Sequence, residues 1–254
     1  MEMKEITTGK LRTRIYDNRQ QMGQAAAVAA AGEIRRLLEQ QETVNILFAA
    51  APSQNEFLAS LQEQDIEWGR VNALHMDDYL GLPEDAPQRF GNFLRRHLFD
   101  HVPLRSVYFL YQKDATGDEI CDRYSKILTE HPLDIVCMGI GENGHIAFND
   151  PSEADFNDPK KVKVVALDDV CRMQQVHDGC FASIDDVPRR AVTVTIPVMM
   201  AAKAIFNVVP GRQKAEAVKA ALYGPVSTAC PASVLRQHAN ATLFCDKESG
   251  RLIL

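Results

Sequence analysis

Asn143, His145, Asn149 and Asp150 put an imidazole, a carboxylate and two amides into one short stretch, Gly139-Ile140-Gly141-Glu142-Asn143-Gly144-His145-Ile146-Ala147-Phe148-Asn149-Asp150-Pro151. An imidazole accepts and donates protons near neutral pH, provided a neighbour fixes its tautomer. The stretch follows an apolar run, Ile135 to Met138, that reads as a short buried strand. In open parallel sheets, ligands bind at the carboxyl ends of strands. The cluster is therefore a candidate for proton-transfer chemistry.

The same stretch fits Gly-x-Gly-x-x-Gly, with Asp168 beyond it where a dinucleotide fingerprint would want an acid. That fingerprint needs a helix opening at its third glycine, so that the helix N-terminus holds a pyrophosphate. Pro151 and Pro159, each preceded by Asn-Asp, break the chain between Asn149 and Lys160 and leave no room for such a helix. The pattern argues against a dinucleotide.

Three further places could carry chemistry. Asp77 and Asp78 follow the strand Val71 to Met76, where an acid is either a general base or an ordinary surface or cap residue. Ala49-Ala50-Ala51-Pro52-Ser53-Gln54 joins the strand Val44 to Ala49 to a helix over Gln54 to Leu61. It fits either a phosphate loop, with Ser53 as an added donor, or a plain turn. Pro210-Gly211-Arg212-Gln213-Lys214 is a second strand–glycine–helix junction. Lysine at a helix N-terminus opposes the dipole unless an anion or solvent meets it.

The elements that must position these residues alternate between strand and helix. An Ala-rich helix with one buried face runs to Gln40, opened by an Asp17–Gln20 capping box. A strand near Leu11 to Tyr16 precedes it. Helices are expected over Pro87 to Phe99 and Gly117 to Thr129, with a weak strand at Val107 to Tyr111 between them. Further strands are expected at Lys163 to Leu167, Ala191 to Ile196, Ala204 to Val209 and Ala241 to Cys245. Residues 168–190 read as helix or ordered loop near the pocket. The pattern predicts an α/β fold: a doubly wound, mostly parallel, Rossmann-like sheet with helices on both faces, in one domain spanning 1–254.

At 46% hydrophobic and 24% charged, the chain has an ordinary globular composition. Net charge −6 and a pI near 5.7 argue against general affinity for nucleic acid or anionic membranes. Six cysteines with no C-x-x-C pair read as free thiols in a reducing cytoplasm. Neither a signal peptide nor a membrane-length apolar run is visible.

Two motifs, His75-Met76-Asp77-Asp78-Tyr79-Leu80-Gly81-Leu82-Pro83 and Gly139 to Pro151 as written above, make the chain resemble the glucosamine-6-phosphate deaminase (isomerase) family, which is related to 6-phosphogluconolactonase. The resemblance runs from about residue 40 to residue 246. His145-Ile146-Ala147-Phe148-Asn149 looks like the deaminase branch rather than the Gly-His-Thr-Ala-Ser continuation of the lactonases. The resemblance implies an amino-sugar-phosphate deaminase, placed in the hydrolase class, that turns glucosamine 6-phosphate into fructose 6-phosphate and ammonia. Asp77 matches the base moving a proton between C2 and C1, and His145 the ring opener. Asn143 falls where Asp or Asn supports that histidine, and Asp150 where Glu is usual. Lys214 matches a phosphate-binding lysine.

The chain departs from the family in three places. The phosphate loop, usually rich in Thr and Gly, here offers Ala50, Ala51 and Ser53 around Pro52, which has no N–H. A family arginine is replaced near His177, with Arg172 available to compensate. Asp150 shortens the usual glutamate by one methylene. The resemblance implies no metal and no organic cofactor, a phosphorylated amino sugar as ligand, and a homo-oligomer; from the charge and the apolar pattern above, neither nucleic-acid nor membrane partners are expected. Galactosamine-6-phosphate isomerase, sugar lactonase and a non-catalytic sugar-phosphate sensor are the alternatives. A sensor needs a DNA-binding head, for which no N-terminal segment is expected here.

Overall fold

A computed structural model of the chain describes residues 4–254. Eleven strands form among them: β1 (Lys4–Thr8), β2 (Leu11–Tyr16), β3 (Val44–Phe48), β4 (Val71–His75), β5 (Asp77–Tyr79), β6 (Ser106–Tyr108), β7 (Ile135–Met138), β8 (Val162–Ala166), β9 (Arg190–Val194), β10 (Ala204–Val209) and β11 (Ala241–Asp246). The helices are α1 (Arg19–Leu38), α2 (Asn55–Gln62), α3 (Phe90–Leu94), α4 (Gly117–Glu130), α5 (Asp169–His177), α6 (Ile196–Met200) and α7 (Ala215–Tyr223). The main sheet runs β1-β2-β11-β10-β7-β3-β4-β6 and is parallel except for the β1–β2 edge pair.

Alternation along β3 shows how the sheet makes two cores. Ile46 and Phe48 face one core, shared with α1, α2 and α3, while Leu47 faces the other, shared with α4, α6 and α7. Ala26, Ala27, Ala30 and Ala31 of α1 are wholly buried, so that helix lies on the sheet through methyl groups. Its N-cap is Asn18, whose side chain accepts from Gln21 N, one residue on from the expected Asp17–Gln20 box. An amide at position 18 caps as well as a carboxylate does. The expected doubly wound α/β sheet with helices on both faces is the fold observed.

A second, antiparallel sheet, β5-β9-β8, departs from that expectation. The chain leaves β4 at His75, passes Met76 and enters β5 at Asp77. Met76 N donates to Phe48 O in the main sheet, while Val194 N at the end of β9 donates to Met76 O. One residue thus couples the two sheets just before Asp77. The stretch 151–161 holds turns and no helix, as its prolines dictate.

Candidate active site

In the main sheet, β10, β7, β3 and β4 are neighbours in that order. The segments after their carboxyl ends therefore meet, and they supply one cleft of about 490 Å³ measured out to its mouth. After β3 come Ala49, Ala50, Ala51, Ser53 and Gln54; after β4, Met76 and Asp77; after β7, Gly139 to Gly141 and His145; after β10, Lys214. Gln174 and Gln175 of α5 complete the lining with Phe90, Ala147 and Phe148.

Asp77 is 6% exposed. Burial holds its pKa well above the ordinary carboxylate range, and the like charges of Asp78 and Asp150 add to this, while the Phe148 N–H opposes it. His75 fixes the backbone here. Its Nε2 accepts from Leu110 N at 2.9 Å, so Nδ1 carries the proton and donates to Asp77 O at 3.0 Å. Burial pushes His75 down to about 4, keeping it neutral. Asp78, next along the strand, faces a different cleft, where Arg89 lies 3.5 Å from its carboxylate.

His145 lies across the backbone of Gly141: a Cβ there would stand 2.2 Å from Cε1. Only glycine permits that approach. Asp150 Oδ1 is 3.0 Å from His145 Nδ1, close enough for an ion pair yet off the line of an aligned hydrogen bond. Apo catalytic contacts commonly tighten only with ligand bound. Burial pushes the Asp150 carboxyl up, but His145, the Asn143 amide and the Asp168 N–H together pull it below its ordinary value. Asp150 thus stays anionic beside the imidazole of His145.

Asn143 stands behind this pair. Its Nδ2 donates to Asp150 Oδ1 and Asp168 Oδ2, both at 3.0 Å, and its Oδ1 accepts from His145 N. The amide bridges two carboxylates that would otherwise repel. Asn149 is buried and serves the turn: it donates to Ile146 O and Val194 O and so ties the loop to β9.

Lys214 is 6% exposed, and its Nζ has no hydrogen-bond partner among the described residues. Burial lowers its pKa, while Asp178 and Glu142 raise it. The Lys214 side chain faces the cleft.

Four expected site residues do not line the cleft: Asn143 and Asp150, which stand behind His145, and Arg172 and His177, which are turned to other work. Arg172 is 2% exposed, and its guanidinium is committed to Asp169 and to the carbonyls of Ile184 and Val187. It braces the turn after α5 and does not replace a phosphate-binding arginine. His177 is half exposed and meets Glu142 Oε1 at 3.3 Å, outside the lining. The cleft-facing residues of α5 are instead Gln174 and Gln175, with Gln174 Oε1 accepting from Glu142 N at 2.8 Å. Gln54, Phe90 and Asp168 were likewise not singled out by sequence as site residues.

Ligand atoms of His145, Asp150 and Cys171 lie within 4.8 Å of one another. Burial, with Asp150 and Asp168 beside it, raises the Cys171 thiol well above its ordinary value. A thiol held protonated is a poor metal ligand, since metals bind the thiolate.

A carboxylate, an imidazole backed by Asp150 and Asn143, and a buried lysine thus converge at the strand ends of an α/β sheet. The family model for glucosamine-6-phosphate isomerases/6-phosphogluconolactonase matches residues 17–244. The chain belongs to this family. Proteins named glucosamine-6-phosphate deaminase from Bacillus thuringiensis (strain Al Hakam) and Bacillus cereus (strain AH820) are each 36% identical over 216 residues, covering 85% of this chain and 80% of the relative. A solved monomeric glucosamine-6-phosphate deaminase superposes with a TM-score of 0.85 at 26% identity, covering 94% of this chain and 99% of its own. The 6-phosphogluconolactonase of Trypanosoma brucei, with a TM-score of 0.79, 17% identity and coverage of 99% and 100%, shares the fold. The curated relatives are named as deaminases, so the hydrolase class expected from the resemblance is not supported. Among the described residues no helix is long and apolar enough to cross a membrane.

Proposed function

We propose that this protein is an amino-sugar-phosphate deaminating isomerase acting on glucosamine 6-phosphate. The observation that carries this reading is the convergence of Asp77, His145 and Lys214 on one cleft. The phosphoryl group meets Lys214 and the Ala50–Ser53 turn. His145, held by Asp150 and Asn143, moves the proton that opens the pyranose ring. Asp77 then takes the C2 proton and returns it to C1, an aldose-to-ketose shift within reach of a positioned carboxylate. The substrate's 2-ammonium brings a cation beside Asp77, which favours the ionised base on binding. The shift leaves an iminium at C2 and a hydroxyl at C1; water adds to C2, the C2 nitrogen departs as ammonia, and the oxygen of that water becomes the ketone of fructose 6-phosphate.

Ammonia release tests the reading. The purified protein is incubated separately with glucosamine 6-phosphate, galactosamine 6-phosphate and 6-phosphogluconolactone, and ammonia and acid are followed. Ammonia and fructose 6-phosphate from the first substrate are the expected products. Acid from the lactone alone overturns the reading, and so does binding of all three without turnover. The resemblance also implies a homo-oligomer, whereas one solved relative is described as monomeric. Sedimentation velocity measures which assembly this chain adopts.

A further inference from the structure

Gln54 opens α2 beneath the cleft and is 1% exposed. Its Nε2 donates to Val208 O and to Ser53 Oγ, each at 3.0 Å. A carbonyl can only accept, so the contact with Val208 fixes which way the amide points. The amide's Oε1 has no donor among the described residues, and the group is held through Nε2 alone. Space for this arrangement comes from Gly139, where a Cβ would stand 3.2 Å from Nε2.

These contacts determine the state of Ser53. A hydroxyl that accepts from Gln54 spends a lone pair, not its proton. Its O–H remains available, and Ser53 lines the same cleft as Lys214. A phosphoryl group accepts hydrogen bonds at its anionic oxygens, and hydrogen bonds to ionised acceptors are the strong ones. The surrounding turn is short of donors, since Pro52 has no N–H.

We propose that Gln54 is a positioning residue that turns the Ser53 hydroxyl toward the ligand as a proton donor, forming with Lys214 the anion subsite of the cleft. The proposal rests on the sugar-phosphate reading of that cleft. Gln54 lines the cleft, but in this proposal it acts on the ligand through Ser53. It links the end of β10, which leads to Lys214, with the turn after β3, which carries Ser53.

A double-mutant cycle with inorganic phosphate as the probe tests it, read by titration calorimetry. Ser53→Ala and Gln54→Met are each expected to weaken phosphate by about tenfold, the effect of one charge-assisted hydrogen bond. Because Gln54 acts through Ser53, the double variant binds no worse than Ser53→Ala alone. In turnover, both singles raise KM with kcat nearly kept, and Ser53→Thr retains phosphate affinity. If Gln54→Met weakens phosphate equally with and without the Ser53 hydroxyl, Gln54 only anchors the loop and the proposal is overturned. Unchanged affinity in Ser53→Ala overturns it even where Gln54→Met does not fold. Absence of phosphate binding to the unmodified protein also overturns it. Phosphate binding that follows the cycle, without ammonia release from any amino-sugar phosphate, overturns only the proposed reaction.

Discussion

The imidazole of His145 packs on the backbone of Gly141 so closely that a Cβ there would stand 2.2 Å from Cε1 and 2.3 Å from both ring nitrogens. The ring's position thus depends on a hydrogen where every other residue has a carbon. Gly141→Ala pushes the imidazole off Asp150, and kcat falls by at least about 100-fold, as small misplacements of catalytic groups do. The circular-dichroism spectrum stays native, since the clash involves one side chain at a cleft. Steady-state kinetics beside the spectrum checks this.

Asn143 gives a second, electrostatic control of His145. Asn143→Leu removes the donor to both Asp150 and Asp168 at similar side-chain size and without adding a charge. Losing a hydrogen bond to a charged group costs about 3 kcal/mol at the upper end, which corresponds to roughly 100-fold in rate. Asn143→Gln displaces the amide and is expected to fall between the two. Comparison of kcat for the three proteins measures the bridge.

The raised pKa of Asp77 makes a directional statement about pH. A base works only when ionised, so kcat/KM of the free enzyme falls on its acid side at a pH above the ordinary carboxylate range. Asp78 contributes to that rise by like charge. Asp78→Asn keeps the acceptor for Tyr79 N and Phe90 N but removes the charge, and moves the acid limb to lower pH. A pH–rate profile of both proteins shows the displacement, and coincident limbs would contradict it.

His75 affects stability through its protonation. Its pKa is about 4 when folded against 6.5 when unfolded, so between those values the unfolded chain binds more protons. Stability from this group is full above 6.5 and is lost as the pH falls toward 4, by about 3 kcal/mol in all. Asp78, raised from 3.8 to about 6, slopes the opposite way in the overlapping window. The comparison of unmodified protein with His75→Leu by urea denaturation isolates the histidine. The stability difference between the two is expected to grow from about pH 4 to about pH 7.

Much of this was legible in the chain because local signals matched the final contacts. The short apolar run Ile135 to Met138 is β7, and the Pro-broken segment after it carries no helix. Asp77, His145 and Lys214 meet because parallel strands place their carboxyl ends on one edge. The β5-β9-β8 sheet was not legible: Asp77-Asp78-Tyr79 is three residues long, and its partners Ala191 to Thr193 lie far along the chain. Helix α5 misled for a different reason. It buries Arg172, Gln174 and Gln175 and exposes Val170 and Met173, the reverse of ordinary amphipathicity. That polar buried face was the available sign that α5 lines a cleft. Gln54 gave no such sign, since a glutamine at a helix start reads as solvated.

The central claim is that Asp77 moves the proton while the cleft binds the phosphorylated sugar independently of it. Asp77→Asn keeps the side chain's shape and removes the base. The decisive measurement is ammonia release from glucosamine 6-phosphate by this variant, with ligand affinity taken by calorimetry on the same preparation. Loss of turnover by about three to four orders of magnitude, with affinity for the sugar phosphate retained, is the predicted result. Ammonia release at the rate of the unmodified protein would contradict it.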